Sequence, residues 1–172
     1  MKLYRSKIQG IAKEVIDLLA TEGDIDVAPE NKEEAEKDLV AIMEEFNRRD
    51  NEFRNSIKDE MARKNTPYDQ YGKMRQQLAE KSGHPQGDDV ERFLTRQFIE
   101  NLLISRFVDE VFSEDKEIHK KIISVLRKHH VDENEIREAA LGRIKNVREG
   151  TVDYEIEVQK AVRDEKKRRG QL

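Results

Sequence analysis

The chain has 172 residues, enough for one domain or two small ones. Charged residues make up 41% and apolar residues 35%, and the net charge is −4 from 33 basic and 37 acidic residues; that balance suits slender helices with one apolar stripe each and gives no support to wholesale nucleic-acid binding. Cysteine is absent, which excludes disulfides, thiol chemistry and thiolate metal sites, and no apolar run approaches the ~20 residues that a bilayer span needs. The opening Met1–Ile8 is too polar for a signal-peptide core. The cytoplasm is the expected compartment, with no membrane partner.

Ile8, Ile11, Ala12, Val15, Leu18 and Leu19 recur at three- and four-residue steps and predict a helix over about residues 5–21, closed by Gly23. Asp24–Val27 alternates as a very short strand would, and Ala28-Pro29 stops it. Its pairing partner is expected from another turn or another subunit. A long helical pattern starts near Glu30, with Leu39, Ile42, Met43, Phe46, Phe53, Ile57 and Met61 on one face. Asp50 interrupts that face, where a buried unpaired carboxylate would be costly. Either the helix breaks there with Asp50 as its cap, or Asp50 sits at an opening between neighbours; a break is expected, making a helix, a tight turn and a helix.

Pro67 marks the start of the next helix, with Tyr68, Tyr71, Met74 and Leu78 on its face and the two tyrosines expected in the core. Ser82-Gly83-His84-Pro85-Gln86-Gly87-Asp88-Asp89 is the clearest break in the chain. Val90, Phe93, Leu94, Phe98, Leu102, Leu103, Phe107, Val108, Val111 and Phe112 then form the most apolar stretch, the expected centre of the core. Helices are predicted over about 114–129 and 133–148. Asp132 and Glu135 form a capping box for the second. Gly150-Thr151 separates it from a last helix that turns Val152, Ile156, Ala161 and Val162 inward, with a polar tail from Arg163.

Residues 33–64 lie over residues 116–147 without a gap, and their apolar positions match: Leu39 on Ile122, Met43 on Leu126, Phe53 on Ile136, Met61 on Ile144. Five pairs are identical: Glu34/Glu117, Lys37/Lys120, Asn51/Asn134, Glu52/Glu135 and Arg54/Arg137. Val15–Leu19 matches Ile99–Leu103 one residue out of that register. The pattern reads as a tandem duplication: residues 1–83 as a first helical unit, 84–89 as a linker, and 90–172 as a second unit with a basic tail. Two such copies are expected to pack about a pseudo-twofold axis.

Little in the chain carries recognisable chemistry. His129, His130 and Glu133, with the more distant His119, fall short of the converging ligands of a metal centre, and no metal or cofactor is expected. Runs such as Asn31–Asp38 are salt-bridged solvent faces. Gly-rich phosphate loops, a GxSxG elbow and an HExxH pair are all missing, so no enzyme activity is expected. The basic residues Arg143, Lys145, Arg148, Lys166, Lys167, Arg168 and Arg169 form the candidate phosphate-gripping patch, against the plainer reading of cations at a helix C-terminus.

The segments Val125–His129, Asp132–Glu135, Gly142–Asn146, Glu149–Thr151, Glu157–Lys160 and Arg168–Gly170, with Met1–Arg5 and Met74–Glu80, resemble the bacterial family known as domain of unknown function 507. The resemblance covers nearly the whole chain and implies a small, soluble, mainly helical bacterial protein; it brings no activity and no site. The sequence therefore reads as an all-α protein of two related units with at most one very short strand near Ile25. The leading functional expectation is a non-catalytic binding or adaptor protein of the bacterial cytoplasm, with a protein partner or a second copy docked near the Phe93–Phe112 stretch. The alternative is an RNA- or ribosome-associated factor using the basic C-terminal helix.

Overall fold

The structure, a computed structural model, describes residues 2–130, 133–143 and 152–168. In chain order it contains α1 (Arg5–Thr21), β1 (Ile25–Asp26), α2 (Lys32–Arg63), α3 (Tyr71–Ser82), α4 (Asp89–Ile104), β2 (Glu110–Val111), α5 (Asp115–Lys128), α6 (Glu133–Leu141) and α7 (Val152–Arg168). The protein is mainly helical, as its periodicity implies.

Helix α1 packs against α2 and α5, and α4 packs against α5 and α2. The four helices thus enclose one apolar cluster built from Ile11, Val15, Leu19, Leu39, Met43, Leu94, Phe98, Ile122 and Leu126, which draws on both halves of the chain. The second half of α2 leaves that cluster and packs with α3 around Phe53, Ile57, Met61, Met74 and Ala79. Farther out, Tyr4 and Ile136 form a small cluster with Val162 of α7. Among the described residues, no helix is long and apolar enough to cross a membrane.

Gly23 leaves α1 with φ +77°, a left-handed turn that glycine adopts without a Cβ penalty. This turn delivers β1 to β2. The two pair antiparallel, Ile25 with Val111 and Asp26 with Glu110, so the sequence expectation of at most one strand is corrected to a two-stranded ribbon. The partner comes from the α4–α5 connection of the same chain, 85 residues away, and a two-residue strand leaves almost no sequence signal.

The expected break at Asp50 is also corrected, because α2 runs unbroken through it for 32 residues. Asp50 needs no helix end because Arg54, one turn on, supplies its counter-charge. The matched segment in the second half does divide, into α5 and α6, so the helix-turn-helix expectation holds there and fails at α2. Helix α6 ends at Leu141, earlier than the predicted 148, with Gly142 and Arg143 in a turn. Tyr68 is 80% exposed and stacks on Tyr71 with ring centroids 5.7 Å apart; the expectation that it lies in the core is corrected, since a short 3-10 turn over Tyr68–Gln70 precedes α3 and shifts it off the helix face. Ile156, expected to face inward, is 57% exposed, while Val158 and Glu165 take the buried positions of α7. The capping box at Asp132 and the Gly150-Thr151 junction lie outside the described residues.

Candidate functional site

The apolar stripe of α2 passes from the main cluster to the α3 cluster between Phe46 and Phe53, and polar residues fill the gap. Asn47, Asp50, Asn51 and Arg54 fall at steps of three and four residues, so they share one face of the helix. This is the opening between neighbours that the sequence allowed as the second reading of Asp50.

Asp50 is buried and surrounded. Arg54 Nη2 lies 2.5 Å from its Oδ2, His84 Nε2 lies 3.2 Å from its Oδ1, and Arg75 Nη2 approaches Oδ1 at 4.0 Å. The His84 ring stacks on Phe53 at 4.2 Å between centroids and lies parallel to Phe46 at 6.1 Å. Gly83, with φ +68°, turns the chain after α3 so that His84 can reach α2. Arg75 Nε donates to Gln86 Oε1 at 3.1 Å, and Gln86 Nε2 donates back to the Arg75 carbonyl. The segment joining the two halves is therefore fastened to α2 and α3 by His84 and Gln86.

Around this polar gap lies a cleft of about 500 Å³. Its walls come from five separate parts of the chain: the N-terminal segment Lys2–Ser6, the Phe46–Arg54 face of α2, Arg75 of α3, Gly87 with Val90 at the start of α4, and Lys166 of α7. Among the described residues five cations line it, namely Lys2, Arg5, Arg54, Arg75 and Lys166, against one carboxylate, Asp50. The Nζ atoms of Lys2 and Lys166 both sit over the Tyr4 ring, 5.1 and 5.7 Å from its centroid, a cation–π arrangement that holds both ammonium groups at the same wall. Arg54 Nε is buried with no hydrogen-bond partner among the described residues. A second cleft of about 570 Å³ on the other side of His84 carries Glu80 and Asp89 against Arg92 and Arg96, so its charges cancel.

The predicted basic patch is divided by the structure. Arg143 Nη1 and Arg168 Nη2 lie 2.7 and 3.0 Å from the two oxygens of Glu165, which is fully buried. Burial of that carboxylate requires such partners; Arg143 thereby holds α7 to the turn after α6, while Arg168 pairs with Glu165 within α7. Lys166 points into the cleft, and Lys167 is exposed. Lys145, Arg148 and Arg169 lie outside the described residues. His129 is engaged with Glu14, Nε2 to Oε2 at 2.8 Å, beside Gly10; the Glu14 carboxyl is held below its ordinary value by hydrogen bonding from Lys128, and by His129, against the opposing effect of burial.

The apolar stretch at the end of α4 and after it is mixed. Val108 is buried and Phe107 half-buried, but Leu103, Ile104 and Phe112 are 56%, 83% and 58% exposed, so not all of it is the core centre that composition suggests. Sequence reasoning missed the cleft itself. Asp50 was its one visible sign, because the other members come from distant segments that share no periodic pattern with α2.

The whole-chain comparison agrees with the resemblance drawn from the motifs. The family model described as "Protein of unknown function (DUF507)" matches residues 1–171. The chain belongs to that family, whose function is unknown. No curated protein matches it.

Proposed function

We propose that the protein is a non-catalytic helical binding protein of the bacterial cytoplasm, and that it holds an anionic ligand in the cleft on α2. One observation carries this reading: five cations from four chain segments converge on a site with a single carboxylate among the described residues, in a protein whose net charge is negative. Gathering like charges costs free energy that an anion in the cleft offsets. The one acid present, Asp50, is already committed to Arg54 and His84, which makes it a counter-charge rather than a free proton acceptor. That supports binding over catalysis.

Titration of the full chain with inorganic pyrophosphate tests the reading. Binding is expected at about 50 mM salt and is expected to weaken on the order of tenfold at about 200 mM, as screening of a multi-cation contact requires. Arg5 is exposed and makes no hydrogen bond or ion pair with another described side chain, so Arg5→Glu should weaken binding by about tenfold, or ~1.4 kcal/mol, without loss of helix content. No binding at millimolar pyrophosphate in low salt would overturn the reading.

A second reading has its own observation. Leu103, Ile104 and Phe112 place three large exposed apolar side chains within ten residues, which favours an adaptor with a protein partner, or a second copy, docked at the α4–β2 shoulder. Such an association would be insensitive to salt, whereas an RNA-associated factor would compete with pyrophosphate for Lys166.

The tandem duplication belongs to the same proposal. Helix, short strand and helix recur as α1–β1–α2 and α4–β2–α5. The antiparallel pairing of Ile25 with Val111 and Asp26 with Glu110 has the local twofold of any antiparallel pair and is compatible with a pseudo-twofold axis between the units. In this reading residues 1–83 and 90–172 are units of descent that fold around a common core, and both contribute to the cleft, the first unit through its N-terminal segment, α2 and Arg75 and the second through Val90 and Lys166.

A further inference from the structure

We propose that the ligand of the cleft is a nucleoside diphosphate of adenine type, its phosphates on the cations and its base edge on Asn47 and Asn51. This inference rests on the anion-binding reading above and adds the ligand's organic half.

Four of the five cations of the cleft fall into two groups. Lys2 and Lys166 flank Tyr4 at one wall, and Arg54 and Arg75 flank Asp50 at another. Two separated cationic groups match two linked phosphates better than one. The guanidinium forks of Arg54 and Arg75 suit phosphate oxygens.

Cations alone do not account for the rest of the lining. Asn47 and Asn51 stand one helical turn apart on the cleft face of α2, and neither amide is engaged by another described side chain. Each offers a paired donor and acceptor, the pattern that reads the N6 and N7 positions of adenine. Leu3, Phe46 and Val90 supply apolar surface beside them. A bare oxyanion would use the cations and leave these amides and apolar walls without a role. The volume of about 500 Å³ lies within the ~300–1,000 Å³ of small-molecule sites.

The test compares ADP with inorganic pyrophosphate on the full chain by calorimetry at about 50 mM salt. ADP is expected to bind at least tenfold more tightly. The double variant Asn47→Ala with Asn51→Ala should bring ADP down to the affinity of pyrophosphate and leave pyrophosphate binding unchanged, while Arg5→Glu should weaken both. Equal affinities for ADP and pyrophosphate would overturn this inference and leave the anion-binding reading standing. Binding of a single-stranded oligonucleotide with no binding of ADP would also overturn it, in favour of a polymer. Failure of pyrophosphate and ADP alike would overturn both readings. Circular dichroism of each variant separates loss of the site from loss of the fold.

Discussion

Phe98→Ala is expected to lower the unfolding free energy by about 3–5 kcal/mol, the usual cost of removing a buried aromatic ring from a core. Phe98 is fully buried on α4, inside a cluster to which α1, α2 and α5 also contribute. At this chain length each kcal/mol moves the melting midpoint by about 2–4 °C, so a drop on the order of 10 °C is expected. The character of the transition matters as much as its midpoint. A core drawn from both halves should unfold in one step, and the substitution should move that step as a whole. Two transitions, only one of them shifted, would contradict a shared core.

Asp24→Asn is expected to cost about 2 kcal/mol at neutral pH, from the loss of charge-assisted hydrogen bonds to a buried carboxylate. Asp24 follows the Gly23 turn and is buried. Lys121 of α5 donates to both of its oxygens at 2.8 and 2.6 Å, and the Ser113 hydroxyl donates at 2.6 Å. The Asp24 backbone carbonyl also accepts from Phe112 at 2.8 Å. One residue thus ties the end of α1, the ribbon and the start of α5 together. Burial alone would raise the Asp24 carboxyl; hydrogen bonds from Lys121 and Ser113, with the Lys121 charge, outweigh it and hold the group below its ordinary 3.8. Glu22 shares Lys121 at 2.6 Å and is the other charge facing this site.

The sign of the pH effect follows. A carboxylate whose folded value lies below its unfolded value contributes stability that is complete above the unfolded value and is lost as pH falls through the folded one. The gap between the wild type and Asp24→Asn should therefore stay constant from pH 7 to about pH 5 and close below about pH 4. Denaturant unfolding at a series of pH values measures it. A gap that persisted unchanged to the lowest pH would show that the ion pair does not carry the effect.

The helical frame was legible because periodicity is local. The steps of Ile8, Ile11, Val15 and Leu19 marked α1 to the residue, and Gly83 with Pro85 marked the end of α3. Asp50 was legible only as an anomaly, with two readings open. The choice between them turned on Arg54, four residues on, and on His84, 34 residues on; a contact of that separation leaves no periodic trace. The same holds for the ribbon, whose two strands carry two residues each. The basic tail misled for another reason. Clustered charge in sequence says nothing about which charges face solvent, and Arg143 and Arg168 face the buried Glu165, a carboxylate that sequence placed in a polar tail.

The most direct test of the cleft is an NMR titration of the isotope-labelled full chain with inorganic pyrophosphate at low salt, following backbone amides. The account predicts shifts concentrated at Lys2–Ser6, Asn47–Arg54, Arg75, Gly87 and Lys166, with the Leu103–Phe112 shoulder unmoved. Shifts confined to Lys167, Arg168 and the basic residues around Arg143, with the cleft silent, would contradict it.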